Sequence, residues 1–125
     1  MIIYCCTDLI FATKIASTAE VLGVPSRPAR DADALRRRLD CVDDGRMNEA
    51  VTGVLIDLEL GVVALHLLQQ VKAYDVTIPV VTFGSHVETD ILRAAQENGA
   101  DAVMPRSQFT VELPNLLRQY GEATT

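Results

Sequence analysis

The stretch Val54-Leu55-Ile56-Asp57-Leu58-Glu59-Leu60 ends a continuous apolar run on an acid. A run of this kind, enriched in β-branched residues, suits a strand buried on both faces of a parallel sheet, because a strand with one wet face would alternate. A carboxylate at the end of such a strand cannot be explained as core. It is either an accessible functional group in a crevice or a cap for the helix that follows, and the stretch alone leaves both open.

Outward from this stretch the pattern repeats. Residues 2–6, 78–83 and 102–104 are short apolar runs like the one spanning 51–58. Between the runs, three sets of residues recur at the spacing of one helical face: Phe11, Ile15, Thr18 or Ala19, and Leu22; Ala64, Leu67 or Leu68, and Val71; Val87, Ile91, and Ala94 or Ala95. Gly23 and Pro25 end the first helix, Pro79 opens a strand, and Asn98-Gly99 supplies a left-handed cap before the last strand. A further strand is expected over 25–29, confined to an edge by Pro25 and Pro28, with a helix following over 34–42. Asp43-Asp44-Gly45-Arg46-Met47-Asn48 reads as a loop or a frayed helix end. The last helix is expected to start near Thr110 and run through Leu113, Leu116, Leu117 and Tyr120, with Pro114 in the first turn, where a missing N–H is tolerated. Strands and helices alternating in this way make βα units with right-handed crossovers. The expected fold is α/β: a three-layer, flavodoxin-like (βα)5 domain with a parallel sheet of order 2-1-3-4-5. It occupies residues 1–121, and 122–125 are expected to fray.

Composition narrows the function classes. The chain is 49% hydrophobic with a formal net charge of -6, which argues against binding a nucleic-acid backbone, since that needs clustered cations. The run Arg36-Arg37-Arg38, flanked by Asp31, Asp33 and Asp40, reads as a solvated helix face. No apolar run approaches the roughly 18 residues that span a bilayer, and the apolar start is a strand and not a signal peptide. A cytoplasmic location follows, with Cys5, Cys6 and Cys41 reduced. Neighbouring cysteines on a strand face opposite ways, and no spacing suggests zinc or redox work, so Cys5 and Cys6 read as packing residues.

In a sheet of this order the ligand crevice lies at the carboxyl ends of the strands, beside the switch point between strands 1 and 3. That gathers Cys6, Thr7 and Asp8, then Asp57 and Glu59, then Gly84 and Ser85, then Pro105, Arg106 and Ser107. Asp8 reads first as the N-cap of the helix starting at Leu9 and Ile10. His66 and His86 have no visible acid or hydroxyl partner and read as solvated or capping residues.

The Asp-Leu-x-Leu end of strand 3, Ile78-Pro79-Val80-Val81, Ala94-Ala95 followed by Gly99-Ala100-Asp101-Ala102, and the later Phe109 and Glu112-Leu113 together resemble the response-regulator receiver domains over nearly the whole chain. The resemblance implies a stand-alone module of two-component, phosphorelay signalling, with Asp57 as candidate phosphoacceptor and a histidine kinase or downstream effector as protein partner. It also implies a magnesium ion, a hydroxyl residue and a lysine that neutralise the incoming phosphate. Here each part differs. Cys6 and Thr7 fall where the family has an acidic pair, leaving Asp8 and Asp57 as the only candidate metal ligands, so magnesium binding is expected to be weak or absent. Gly84 falls on the hydroxyl position, with Ser85 one residue away. Arg106 takes the lysine position, and arginine keeps the charge without lysine's point contact.

Asp57 therefore stands between two roles, phosphoacceptor or a retained carboxylate that caps, pairs with Arg106 or serves an interface. No catalytic group, cofactor, nucleic acid or membrane is expected, and a homodimer is compatible. The competing readings are a flavodoxin-like enzyme or cofactor binder, for which no phosphate-binding glycine motif is present, and a fixed scaffold. Asp57 and Arg106 are expected to approach each other as a partly exposed pair contributing about 0–1 kcal/mol, with Arg106 in a loop.

Overall fold

The computed structural model describes residues 1–40, 42–43, 46–47, 50–85 and 89–121, of which 42, 43, 46, 47 and 89 are described in backbone only. Its sheet strands are β1 (Ile2–Cys5), β2 (Ser26–Pro28), β3 (Gly53–Asp57), β4 (Val80–Gly84) and β5 (Ala102–Pro105). The helices are α1 (Leu9–Leu22), α2 (Ala32–Leu39), α3 (Val62–Tyr74), α4 (Thr89–Glu97) and α5 (Arg106–Gly121). The strands are all parallel and run in the order β2-β1-β3-β4-β5, which is the expected flavodoxin-like topology.

Successive residues of a strand face opposite ways, so each central strand feeds two cores. Ile3, Cys5, Val54 and Ile56 pack with Leu35 and Leu39 of α2, Leu67, Leu68 and Val71 of α3, and Ala95 of α4. Ile2, Tyr4, Cys6 and Leu55 pack on the other side with Phe11, Ile15 and Ala19 of α1 and Phe109, Leu113 and Leu117 of α5. Cys5 and Cys6 thus enter different cores, as adjacent strand-end residues must. Each fully buried Leu, Ile or Phe here contributes about 1.5–3 kcal/mol of transfer free energy, so the sheet is held between two layers of helix.

The helix ends follow local chemistry. Asp8 caps α1 by accepting the Ile10 and Phe11 N–H groups at 3.0 and 3.1 Å. Gly23 closes α1 at φ 71°, a left-handed conformation that costs glycine little. Asp31 caps α2 through the Ala34 N–H at 2.7 Å.

Three expectations are corrected. Helix α2 ends at Leu39, and Val42–Asp43 pair antiparallel with Arg46–Met47 as a small ribbon where a helix end and loop were expected. The Arg36–Asp40 pair at 3.0 Å and the Asp40 N–H on the Arg36 carbonyl close that helix early. Helix α5 begins at Arg106, directly after β5, and not near Thr110. Pro114 consequently lies inside α5 and not in its first turn, where it removes the hydrogen bond to the carbonyl of residue 110. Cys41, Asp44, Gly45, Asn48, His86, Val87 and the expected frayed tail 122–125 lie outside the described residues. No helix among the described residues is long and apolar enough to cross a membrane.

Candidate functional site

Strand β3 carries Asp57 to the carboxyl edge of the sheet, between β1 and β4. There the carboxylate serves as both cap and ion-pair partner. Its Oδ1 accepts the Glu59 N–H at 2.9 Å, capping the short 3-10 turn Leu58–Leu60 that Gly61 ends at φ 67°. Its Oδ2 accepts Arg106 Nη2 at 2.9 Å and the Cys6 thiol at 3.4 Å. Only 3% of the Asp57 side chain is exposed, against 31% for Arg106. A buried carboxylate needs a counter-charge, and Arg106 supplies it.

Arg106 stands in the first turn of α5, so its guanidinium is delivered by a helix start and not by a loop. It also faces the Asp8 carboxylate, Nη1 to Oδ2 at 3.7 Å. Its Cζ lies 4.9 Å from the Phe11 ring centroid, a cation–π distance. Phe11, Phe83 and Phe109 stack beneath, with centroids 5.2, 5.8 and 3.9 Å apart in their three pairings. Arg106 Nε is sealed from solvent and has no hydrogen-bond partner.

The other predicted residues gather around this group to different degrees. Cys6 is buried and its thiol also approaches the Asp8 carbonyl at 3.6 Å. Burial, opposed in part by the Asp8 backbone contact and reinforced by the Asp57 charge and hydrogen bond, pushes the Cys6 thiol up to about 11. It is therefore a neutral donor at physiological pH and a poor nucleophile. Thr7 is exposed. Gly84 packs its α-carbon beside Leu58, so that an added Cβ would sit 3.1 Å from the Leu58 Cβ. Ser85, Glu59 and Ser107 line a shallow pocket next to Arg106. His66 lies exposed on α3, away from this edge.

A hard divalent cation requires several oxygens converging on one point. Here each Oδ1 is taken by backbone N–H groups, each Oδ2 faces the Arg106 guanidinium, and the third close side chain is a thiol. Among the described residues no cluster of three His, Cys, Asp or Glu side chains has the geometry to hold a metal. The residues present do not fit magnesium.

Sequence reasoning missed two features. The contact of Arg106 with Asp8 depends on α1 and α5 lying side by side, which strand order alone does not specify. The Phe11 ring was assigned only to a core stripe; its position three residues after the capping Asp8 is the signal that places it under the crevice.

This architecture, a carboxylate ending the central strand of a 2-1-3-4-5 parallel sheet, is the fold of the response-regulator receiver domains. Among solved structures the chain is similar to the phosphorylated cyanobacterial phytochrome response regulator RcpA at 14% identity and TM-score 0.78, over 99% of this chain and 95% of that one. It is similar to the receiver domain of NtrX from Brucella abortus at 20% identity and TM-score 0.76, over 99% and 100% of the two chains. The manganese-bound form of the response regulator Rcp1 matches at 15% identity and TM-score 0.72, over 99% and 96%. At these identities the likeness is one of fold. No protein-family model and no curated protein matches the sequence.

Proposed function

We propose that this domain is a cytoplasmic receiver-type module of two-component signalling, which acts through contacts with a histidine kinase or a downstream effector and not as an enzyme. The observation that carries this reading is Asp57, a buried carboxylate held at the carboxyl edge of the central strand by Arg106 at 2.9 Å. Nothing in the packing of an apolar core calls for an acid at that point. Receiver-fold proteins with low sequence identity and near-complete mutual coverage support the class.

The same cluster supports atypical regulation. An acyl phosphate on Asp57 would have to form at Oδ2, which faces Arg106 and Cys6, or at Oδ1, which caps the following turn. Phosphorylation without a divalent ion leaves the entering phosphate with a single cation to meet it. Magnesium-dependent phosphorylation of Asp57 is accordingly weak or absent, and no resident cofactor is required. The test is exposure to a small phosphodonor such as acetyl phosphate, with and without magnesium, read by intact mass. The expected outcome is little or no phosphoprotein and no response to magnesium. Stoichiometric, magnesium-dependent modification lost in Asp57→Asn would overturn the atypical part and make the domain a conventional receiver.

A further inference from the structure

We infer that the outer face of α2, with the open edge of β2 beside it and the groove between α2 and α3, is a docking surface for an acidic segment of another protein that carries an apolar residue. The surface shares no residue with the Asp57 cluster and stands whatever the regulation of that carboxylate.

Of the 11 Lys and Arg residues, Arg27, Arg30, Arg36, Arg37 and Arg38 all fall within residues 27–38, in a chain that has 17 Asp and Glu. The fold gathers them on one surface. Successive helix positions step about 100° around the axis, and the three arginines of α2 spread accordingly. Arg36 lies over the Tyr74 ring of α3 at 6.0 Å, Arg38 Nε donates to the Pro28 carbonyl of β2 at 3.3 Å, and Arg37 stands exposed on the crest between them. Strand β2 ends the sheet, and its Arg27 Nη1 donates to the Ser26 carbonyl at 3.1 Å. Burial pushes the phenol of Tyr4, which pairs with Pro28, upward, and the charges of Arg27, Arg30 and Arg38 pull against it, so these three share one field.

The nearby acids do not neutralise this surface. Asp31 is engaged with the Ala34 N–H, and Asp40 pairs with Arg36 at 3.0 Å. Arg30 and Arg37 make no hydrogen bond or ion pair with any described residue, although Asp33 stands one turn before Arg37. The helix dipole accounts for cations in the last turn of α2 but not for Arg27 and Arg30, which precede the helix. All five cations are arginines, whose planar fork grips a carboxylate with two parallel bonds; a face that only meets water is served as well by lysine.

Beside the arginines, the groove of about 340 Å3 is lined by Arg36, Leu39, Gln70, Ala73 and Tyr74. Its walls are pinned, because Gln70 Nε2 donates to the Ala32 carbonyl at 2.9 Å and the Tyr74 hydroxyl donates to the Leu39 carbonyl at 2.7 Å. A preformed groove with an exposed aromatic ring and a rim of guanidiniums has the anatomy of a protein interface, and little has to be ordered when it is filled. Charge selects the occupant: carboxylates for the unpaired arginines, with one apolar side chain for the groove. A nucleic acid fits less well, since a chain of net charge -6 repels a long polyanion and one ring makes no stacking series.

The probe is a fluorescein-labelled peptide in which pairs of glutamates alternate with single leucines. It is titrated with the full chain by fluorescence anisotropy, and amide NMR spectra locate the contact. Saturable binding that weakens as salt rises is expected, with shifts confined to β2, α2 and the end of α3. Arg30→Glu combined with Arg37→Glu changes two exposed side chains that make no contact in the fold, and should weaken binding roughly tenfold. Replacing the leucines of the peptide by alanine should also weaken it, and a peptide with lysine for glutamate should not bind. Absence of saturable binding, an unchanged affinity in the double variant, or shifts centred on the Asp57 edge overturns the inference. Tighter binding of an oligothymidylate, or self-association of the chain that the double variant abolishes, overturns it in favour of a nucleic acid or a second copy.

Discussion

Each end of the sheet sets a cation against a carboxylate, and the two ends are built to different standards. At the amino end Lys72 Nζ donates to Asp101 Oδ2 at 2.7 Å, to the Ile78 carbonyl at 2.8 Å and to the Val76 carbonyl at 3.3 Å. An ammonium has three donors, and all are used. Asp101 also accepts the Val80 N–H at 2.7 Å, so it joins the starts of β4 and β5. Partial burial pushes its carboxyl up, but the hydrogen bonds from Lys72 and Val80 and the lysine charge outweigh that and hold it below the usual carboxylate range. At the carboxyl end the carboxylate is buried, a thiol shares its oxygen, and Arg106 keeps a nitrogen unpartnered. A joint whose groups are all satisfied needs no further explanation than stability. One that buries an acid, shares it and leaves a donor over is where a fold tolerates cost for another purpose.

The largest effect expected from this contrast is at Arg106. Had the pair been partly exposed on both sides, its loss would cost about 0–1 kcal/mol. Asp57 is buried, so Arg106→Ala should destabilise by about 2–3 kcal/mol, below the cost of a wholly buried pair because Arg106 itself reaches solvent. Chemical denaturation at neutral pH measures this, and a loss under about 0.5 kcal/mol would erase the distinction between the two ends.

The thiols sharpen the contrast through pH. Burial pushes Cys5 up to about 12, and burial with the Asp57 charge pushes Cys6 to about 11, from an ordinary value of 9.0. An acid whose folded pKa is raised leaves stability intact below the unfolded value and withdraws it above. The denaturation midpoint should therefore hold to about pH 9 and then fall toward pH 11, each thiol contributing up to about 1.4 kcal/mol per pH unit. Cys6→Ala should flatten that fall relative to its own value at neutral pH. An identical slope in the variant would show that Cys6 is not held in its thiol form by the fold.

The smallest effect is expected at the amino end. Lys72→Met keeps the apolar stem and removes the charge, and because Asp101 is 44% exposed the loss should be about 1 kcal/mol by the same denaturation measurement. A loss as large as that of Arg106→Ala would mean that both ends carry equal weight.

Much of this fold was legible because its determinants are local. The run ending at Asp57, the capping Asp8 and the Asn98-Gly99 cap each declare themselves within a few residues, and Gly99 indeed takes φ 95°. The pairing of Asp57 with Arg106 followed from two strands ending at the same edge and from the absence of an acidic pair there to bind a balancing cation. What escaped depends on packing between distant elements. The start of α5 at Arg106 has no capping residue before it, since Pro105 is still in the strand, so local rules shifted the helix to Thr110. That shift hid two things together: the interior position of Pro114, and the fact that Arg106 is held by a helix and not by a loop. The ribbon pairing Val42–Asp43 with Arg46–Met47 is only two residues long on each side, too short for a hydrophobic period to mark it.

The guanidinium between Asp8 and Asp57 also has a place in time. During synthesis the first strands appear early, and Asp57 leaves the ribosome 49 residues before the arginine that neutralises it. The central strand pairs, β1 with β3, bring residues close that are far apart in the chain, and such pairings form slowly. Of the partners of Asp57, only the Glu59 N–H and the Cys6 thiol precede Arg106 in the chain, and Asp8 has only its backbone donors before it. The counter-charge belongs to the last helix: α5 carries both Arg106, which pairs with the buried acid, and Phe109, Leu113 and Leu117, which complete one of the two cores.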